Sequence, residues 1–335
     1  MGIIGQYETQ QLEIEEFRRM LLSCAGMRRG KEGDEFRDPA RHATAEEKVV
    51  CVTSGVSFLG IAIVNRLLLR EDREKLREME ISGEMRGTNN NNISAVVGDL
   101  SDVQSISEAF DGCRGVFHTA GFIDPAGLAG YSKWMAEIEM KATENVMVAC
   151  ARTSSVRSCV LTSSLLACIW RDKSRSDLST LVNHDCWSDE PFCIEKKLWY
   201  ALGKLKAEKA AWRIAEHEEF KLVTLCPGLI TGPEFSHRNS TPTFAYLKVD
   251  VNRLAEAHVC VFEAMNKTAS GRYICFDQVI QGEEELLKLA GETGMQTDVL
   301  SGGNASSDSF SFRFKLSNTK LCRLMSRTLQ CSDDC

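Results

Sequence analysis

Val49-Val50-Cys51-Val52-Thr53-Ser54-Gly55-Val56-Ser57-Phe58-Leu59-Gly60 is the stretch on which the fold turns. Its first five residues are a short apolar, β-rich run, and Ser54 to Ser57 form a turn of small residues. From Phe58 to Leu69 apolar residues recur at helical spacing. A strand that passes through small residues into a helix brings backbone N–H groups and the positive helix end to one point. That is what a pyrophosphate needs. Taken alone, the pattern reads equally well as a plain strand-to-helix turn.

The same texture continues downstream. Val96-Val97-Gly98-Asp99-Leu100, Gly115-Val116-Phe117-His118-Thr119, Cys159-Val160-Leu161-Thr162-Ser163-Ser164 and Lys221-Leu222-Val223-Thr224-Leu225-Cys226 are short apolar runs. Helical patterns over 104–110, 131–152 and 198–219 lie between them. Alternation of this kind predicts an α/β fold: a Rossmann-type, doubly wound parallel sheet covered on both faces. Residues at the carboxyl ends of its strands then face the ligand. After Pro227 the pattern loosens through the Gly/Pro/Ser-rich stretch 228–243, with a helix at 251–266 and a strand at 272–276. The expected division is an N-terminal helix and charged linker over 1–47, a dinucleotide-binding domain over 48–233, and a small substrate lobe with a tail over 234–335, interleaved with the sheet. In the arm, Ile14, Phe17, Leu21 and Cys24 share one helical face. Residues 26–48 carry 12 charges, a linker composition. A docked helix on a tether and a partner-binding motif are the two readings of it.

Composition narrows the class. The chain has 335 residues with 40 Lys and Arg against 47 Asp and Glu, a net charge of −7, and no long basic run. It lacks the footprint of a nucleic-acid binder. No apolar stretch reaches the roughly 20 residues that span a bilayer, and no signal peptide is visible. The 14 cysteines lie mostly inside apolar runs, with no Cys-x-x-Cys spacing and no zinc pattern. Cys51, Cys150, Cys159, Cys168, Cys226, Cys260 and Cys275 read as small buried hydrophobes. The expectation is a reduced cytoplasmic protein without a metal, monomeric or homodimeric, acting on a small molecule.

Tyr200-Ala201-Leu202-Gly203-Lys204 carries the chemistry. Positions i and i+4 share a helix face, so the phenol and the ammonium converge. A nearby cation favours the phenolate, which would lower the Tyr200 pKa from about 10 and make it a proton donor near neutrality. Ser164 stands at a strand end 36 residues upstream, and His118-Thr119-Ala120 end another strand; together these are the parts of a nicotinamide site.

From Lys48 to about Phe276 the sequence resembles the extended short-chain dehydrogenase/reductases of the NAD-dependent epimerase/dehydratase type. It is most similar to their plant cinnamoyl-CoA reductase and dihydroflavonol reductase branch. The matching residues are Gly98-Asp99-Leu100, Gly115 to Ala120, Thr162-Ser163-Ser164, Cys186-Trp187-Ser188-Asp189, Trp199 to Lys204, Ala207 to Trp212 and Cys226 to Pro233. The N-terminal arm and Ser163 to Trp170 look like the subgroup called cinnamoyl-CoA reductase-like. The resemblance implies that Ser164 bonds the substrate carbonyl, Tyr200 protonates its oxygen, and Lys204 holds the nicotinamide ribose. Asn145 matches the helix Asn that supports a proton-relay water. Thr53, Gly55, Ser57, Phe58, Leu59 and Gly60 would form the phosphate turn, and Asp99 and Leu100 would border the adenine. Thr119 and Ala120 would line the cofactor, with Pro227, Gly228 and Leu229 against the nicotinamide. For Asp99 a helix-cap role, and for His118 a satisfied strand-end imidazole, stay open.

Four departures from the family are visible. Ser54 and Ser57 stand where its turn Thr-Gly-x-x-Gly-x-x-Gly has its first two glycines. Leu198 replaces the Asn of the Asn-Trp-Tyr that precedes the catalytic Lys in cinnamoyl-CoA reductases proper. The second strand is missing by comparison: after Arg70 the chain passes straight to Glu71–Glu80, eight of whose ten residues are charged. About a dozen residues of substrate-lobe helix are skipped between Tyr246 and Val251. The expected function is an NADP(H)-dependent reductase of a phenylpropanoid-type carbonyl, with NAD as the alternative cofactor. A reductase of another hydrophobic aldehyde or ketone, and a shortened, weakly active or non-catalytic dinucleotide-fold protein, are the other readings.

Overall fold

Alternation of side chains along the strands sorts the interior into two cores, one on each face of a central sheet. In the computed structural model the described residues are 49–82, 93–121, 131–171, 181–232, 247–280, 283–293 and 315–333. The arm with Ile14 to Cys24 lies outside them. The first half contributes β1 (Val50–Thr53), α1 (Phe58–Ser82), α2 (Val103–Phe110), β2 (Gly115–His118), α3 (Lys133–Arg152), β3 (Ser158–Thr162) and α4 (Leu166–Ile169). Next come β4 (Leu181–Val182), α5 (Glu190–Glu195), α6 (Trp199–Ala215), β5 (Lys221–Pro227), β6 (Leu229–Thr231), β7 (Leu247–Asp250) and α7 (Val251–Ala264). The chain then adds β8 (Gly271–Cys275), β9 (Gln278–Val279), α8 (Glu283–Thr293), β10 (Lys315–Leu316) and α9 (Thr319–Asp333).

The central sheet runs β1-β2-β3-β5-β8 and all its pairings are parallel. Val116, Cys159, Leu161 and Leu222 point into one core with Ile106, Phe110, Met147 and Ala211. Phe117, Val160, Val223 and Leu225 point into the other with Ile63, Leu254, Val261, Leu321 and Leu324. Helices α2, α3 and α6 therefore cover one face, and α1, α7 and α9 the other. The expected fold class holds. Six of the seven cysteines read as interior are buried, and Cys51 is partly so. No helix among the described residues is long and apolar enough to cross a membrane.

One expected strand is absent. Val96 to Leu100 lies outside every sheet, with Val96 67% and Val97 62% exposed. Among the described residues β1 pairs with β2 alone, so a third strand has no second strand to pair with. An apolar run without a partner cannot satisfy its backbone groups as a strand. Helix α1 runs on from Phe58 to Ser82 through the charged stretch where the family has that second strand.

The carboxyl end of the sheet is locked from below by one buried carboxylate. Glu208 of α6, fully buried, accepts from Ser163 Oγ at 2.7 Å, Thr224 Oγ1 at 2.6 Å, and Arg272 Nε and Nη2 at 2.8 and 3.1 Å. The Arg272 guanidinium lies 3.5 Å from the Trp187 ring centre, and its Nη1 donates to the carbonyls of His184 and Cys186. Three strands, α6 and the Cys186–Ser188 segment thus meet at one ion pair. Removing one partner strands the other charge in the interior, so Arg272→Leu is expected to lower the unfolding free energy by about 3–5 kcal/mol. Joint replacement with Glu208→Leu should recover part of that loss in chemical denaturation.

Candidate active site

The turn after β1 has serine at the two positions where the family's motif has glycine. Ser54 adopts φ +52°, the left-handed region that glycine enters without cost. Ser57 donates its N–H to Ser54 O at 2.8 Å, and its hydroxyl caps α1 by accepting from Gly60 N at 3.1 Å. A Cβ on Gly60 would come within 2.2 Å of Ser54 O and 2.9 Å of Gly55 Cα, so the last glycine is kept where helix and turn touch. A Cβ on Gly55 would meet its nearest neighbour, Val52 O, at 3.4 Å; this glycine is not sterically required. Phe58 and Leu59 begin α1 and pack into the core below.

Thr53 ties the ends of β1 and β2 together. Its Oγ1 accepts from the N–H groups of Thr119 and Ala120, both at 3.1 Å, and lies 2.9 Å from His118 Nδ1. With two donors already pointed at that oxygen, its own proton goes to Nδ1, which places the imidazole proton on Nε2. Burial, helped by the Lys204 charge, pushes the His118 pKa down to about 3. His118 is therefore neutral. Its Nε2 is buried with no hydrogen-bond partner among the described residues, so it is not the satisfied imidazole that was one reading of the sequence.

Ser164 follows β3, with Leu165 N donating to Pro227 O at 2.8 Å, so the β3 and β5 ends are held side by side. Ser164 Oγ accepts from Leu166 N at 3.2 Å. Leu165 and Leu166 share a third core with Ala201, Leu202 and Tyr200, which sets Ser164 beside the start of α6. Pro227 ends β5, and a Cβ on Gly228 would meet Leu247 O at 2.3 Å, so the backbone bearing Leu229 passes tightly under β7. Leu198, at the N-cap of α6, offers that helix end no side-chain hydrogen bond.

Lys204 does not stand alone. Its Nζ is 2.6 Å from Oε1 of Glu139 on α3, a buried pair that the sequence motifs do not contain. It also lies 5.8 Å from the Tyr200 ring centre, and Tyr131 meets that ring edge-on at 5.1 Å. The expected lowering of the Tyr200 pKa is overturned. Burial raises it, Lys204 lowers it and Glu139 raises it again, leaving the phenol above its ordinary value. Burial alone would depress Lys204, but Glu139 and Tyr200 hold its pKa above the usual lysine range.

Asp99 accepts from the N–H and hydroxyl of Ser101, both at 2.8 Å, which holds its carboxyl below the usual range. Asp102, not Asp99, caps α2. Asn145 Nδ2 donates to Leu100 O at 2.9 Å, so α3 carries the Asp99–Leu100 turn. Arg70 is paired with Glu256 at 3.0 Å and Glu263 at 3.7 Å on α7, with Arg66 also on Glu256. Neither arginine projects from a strand end. Among the described residues no cluster of acidic, His or Cys side chains suits a metal ion.

Small-residue turn, strand-end threonine and serine, and Tyr with Lys on one helix converge at one end of the parallel sheet. The model of the 3-beta hydroxysteroid dehydrogenase/isomerase family matches residues 51–221. Cinnamoyl-CoA reductase 1 of Petunia hybrida is 34% identical over 264 residues, covering 70% of this chain and 74% of its own. The chain belongs to the extended short-chain dehydrogenase/reductases, in their cinnamoyl-CoA reductase-like branch. Tetraketide alpha-pyrone reductase 1 of Arabidopsis thaliana is 31% identical over 263 residues, 70% of this chain and 78% of its own. The fold is shared with yeast methylglyoxal/isovaleraldehyde reductase Gre2, solved with NADPH, at a TM-score of 0.58 and 21% identity over 83% of this chain and 93% of that one. By family the protein is an oxidoreductase.

Against that family the strained Ser54 is the clearest local departure. A non-glycine residue in the left-handed region costs about 1–2 kcal/mol, so Ser54→Gly is expected to raise the unfolding free energy by about 1 kcal/mol. Ser54→Val should lower it, and paired denaturation curves check both.

Proposed function

We propose that the protein is an NADP(H)-dependent reductase of a phenylpropanoid-type carbonyl: an aldehyde, a ketone or a CoA thioester. The observation that carries this is the convergence of Tyr200, Lys204 and the Ser164 hydroxyl, which donates to no acceptor among the described residues, at the carboxyl end of the sheet. The relatives' names supply the substrate class. Residues 48–233 form the dinucleotide domain and 234–335 the substrate lobe interleaved with it, by the same reading.

The residues suit a dinucleotide in most of its length. Gly60 leaves room for the tight turn, the start of α1 offers N–H groups and the helix dipole to a diphosphate, and Thr119 and Ala120 line the path toward Lys204. Ser57 already caps Gly60 N, so one donor is shared with the ligand. Bound there, the nicotinamide supplies the hydride. Ser164 donates to the carbonyl oxygen and fixes the substrate, and Tyr200 gives that oxygen its proton. Lys204 holds the ribose hydroxyls and returns charge balance to Tyr200. Asn145 spends its amide on Leu100 and keeps its carbonyl for the relay water. Leu198, in place of Asn, makes the substrate end more apolar. Pro227 to Leu229 back the nicotinamide ring, and Asp99 and Leu100 border the adenine.

A specific observation favours the weaker second reading, a dinucleotide-fold protein with poor cofactor affinity. Arg70 is taken up by Glu256 and Glu263, and β1 pairs on one side only among the described residues. A 2′-phosphate is usually read by an arginine fork at the next strand end, worth about 1.5–3 kcal/mol per bond to a charged group. Nicotinamide fluorescence titrations are therefore expected to give weak NADPH binding with little preference over NADH. In the same preparation Tyr200→Phe should bind NADPH as the wild type does, while carbonyl reduction falls about 10²–10⁴-fold. A Phe variant that keeps more than about a tenth of the rate would remove Tyr200 as the acid.

A further inference from the structure

Glu139 makes one of the tightest contacts at this site and lies outside the matching motifs. It sits on the buried side of α3 at 3% exposure, and its Oε1 meets Lys204 Nζ across 65 residues of sequence. The surroundings are shaped around the pair. A Cβ on Gly121 would come within 2.8 Å of Lys204 Nζ and 3.4 Å of Glu139 Oε1, so the chain leaving β2 passes bare over both. Gly203, beside Lys204, lets α3 and α6 close to contact, since a Cβ there would lie 3.1 Å from Ala136 Cα.

Among the described residues, the titratable groups facing the pair are Tyr200 from α6, His118 from β2, and Tyr131 from the segment before α3. His118 is neutral by burial. Tyr131 keeps its proton, because burial first, and then Glu139 and Tyr200, push its pKa up. Among the described residues, the charged side chains that meet at the site are Lys204 and Glu139, in direct contact. A lone ammonium beside a phenol favours tyrosinate; an ammonium neutralised by a carboxylate at 2.6 Å does so far less. Protonated Tyr200 can give a proton to a carbonyl oxygen, whereas oxidation of an alcohol begins from tyrosinate.

We propose that Glu139 is a positioning residue: it holds the Lys204 ammonium and offsets its charge, so that Tyr200 stays a protonated donor and the site is set for reduction. The inference rests on the reductase reading above. In each turnover the carbonyl carbon gains the hydride of NADPH, its oxygen gains the Tyr200 proton, and the tyrosinate is reprotonated from solvent. Glu139 forms no bond to substrate; it sets how strongly Tyr200 retains that proton.

The test is the pH dependence of kcat/KM for NADPH-dependent reduction of cinnamaldehyde by wild type, Glu139→Gln and Glu139→Asp. The alkaline limb of the Gln variant should lie about one pH unit or more below that of the wild type, a roughly tenfold loss at pH values between the two limbs. The Asp variant should stay near the wild type, and oxidation of cinnamyl alcohol by the Gln variant should begin at lower pH. A limb unmoved in Glu139→Gln, with only the overall rate changed, overturns the proposal and leaves Glu139 a packing residue. If the Gln variant does not fold, the phenolate difference titration against Tyr200→Phe is made in wild type and in Glu139→Met. Tyr200 ionising about one pH unit or more lower in the Met background supports the proposal, and an ionisation unmoved between the two overturns it. Failure of the wild type to reduce any carbonyl sinks the reductase reading, and comparing the Tyr200 titration with and without the Glu139 carboxylate still tests the hold of Glu139 on Tyr200.

Discussion

Among the described residues β1 has a hydrogen-bonding neighbour on one side only, and much of what is unusual in this chain follows from that. In a doubly wound sheet the strand that carries the phosphate turn sits inside, with a second strand beyond it. Here the charged run after Arg70 continues α1 instead. Val96 and Val97 then have nothing to pair with and stay in solvent. Arg70, on a helix rather than at a strand end, settles on the acidic face of α7. Ser164 and Lys204 are buried at one end of the sheet, while Val96 and Val97 on the far side of β1 are exposed.

Two buried ion pairs divide the remaining work. Glu208 and Arg272 join α6 to β8, and through Ser163 and Thr224 to β3 and β5, fixing the backbone on which Ser164 stands. Glu139 and Lys204 join α3 to α6 and set the charge that Tyr200 feels. A buried pair adds little to stability over apolar packing; what these two pairs do is join named elements at fixed points. Both pairs end on α6, which carries the Tyr and Lys. The helix is held at Lys204 and again one turn later at Glu208, so the phenol and the ammonium have little freedom to part.

The sheet was legible because its strands are short, apolar and terminated by small polar residues, and β2, β3 and β5 fall within about two residues of their expected limits. Val96 to Leu100 misled for a definable reason: local pattern reports whether a segment suits a strand, not whether a partner exists. Ser164, Tyr200 and Lys204 were recognisable through their order along the chain. Glu139 was not, because an acidic residue in an amphipathic helix normally faces water, and only the packing of α3 on α6 turns it inward. The direction of the Tyr200 shift was misjudged for the same reason. The lysine four residues on was visible, and the carboxylate that offsets it was not.

Native-state hydrogen exchange across β1, β2 and β3 in the full chain tests the central claim most directly. In a parallel ladder alternate amides face opposite neighbours, so a β1 paired on one side holds some of its amides against β2 and presents the rest to solvent. The account predicts strong protection on the inward-facing amides of Val50 to Thr53 and exchange faster by orders of magnitude on the outward-facing ones, while β3 is protected throughout. Uniform protection of all four β1 amides at the level of β3 would contradict it, because some segment would then be paired along the outer edge of β1.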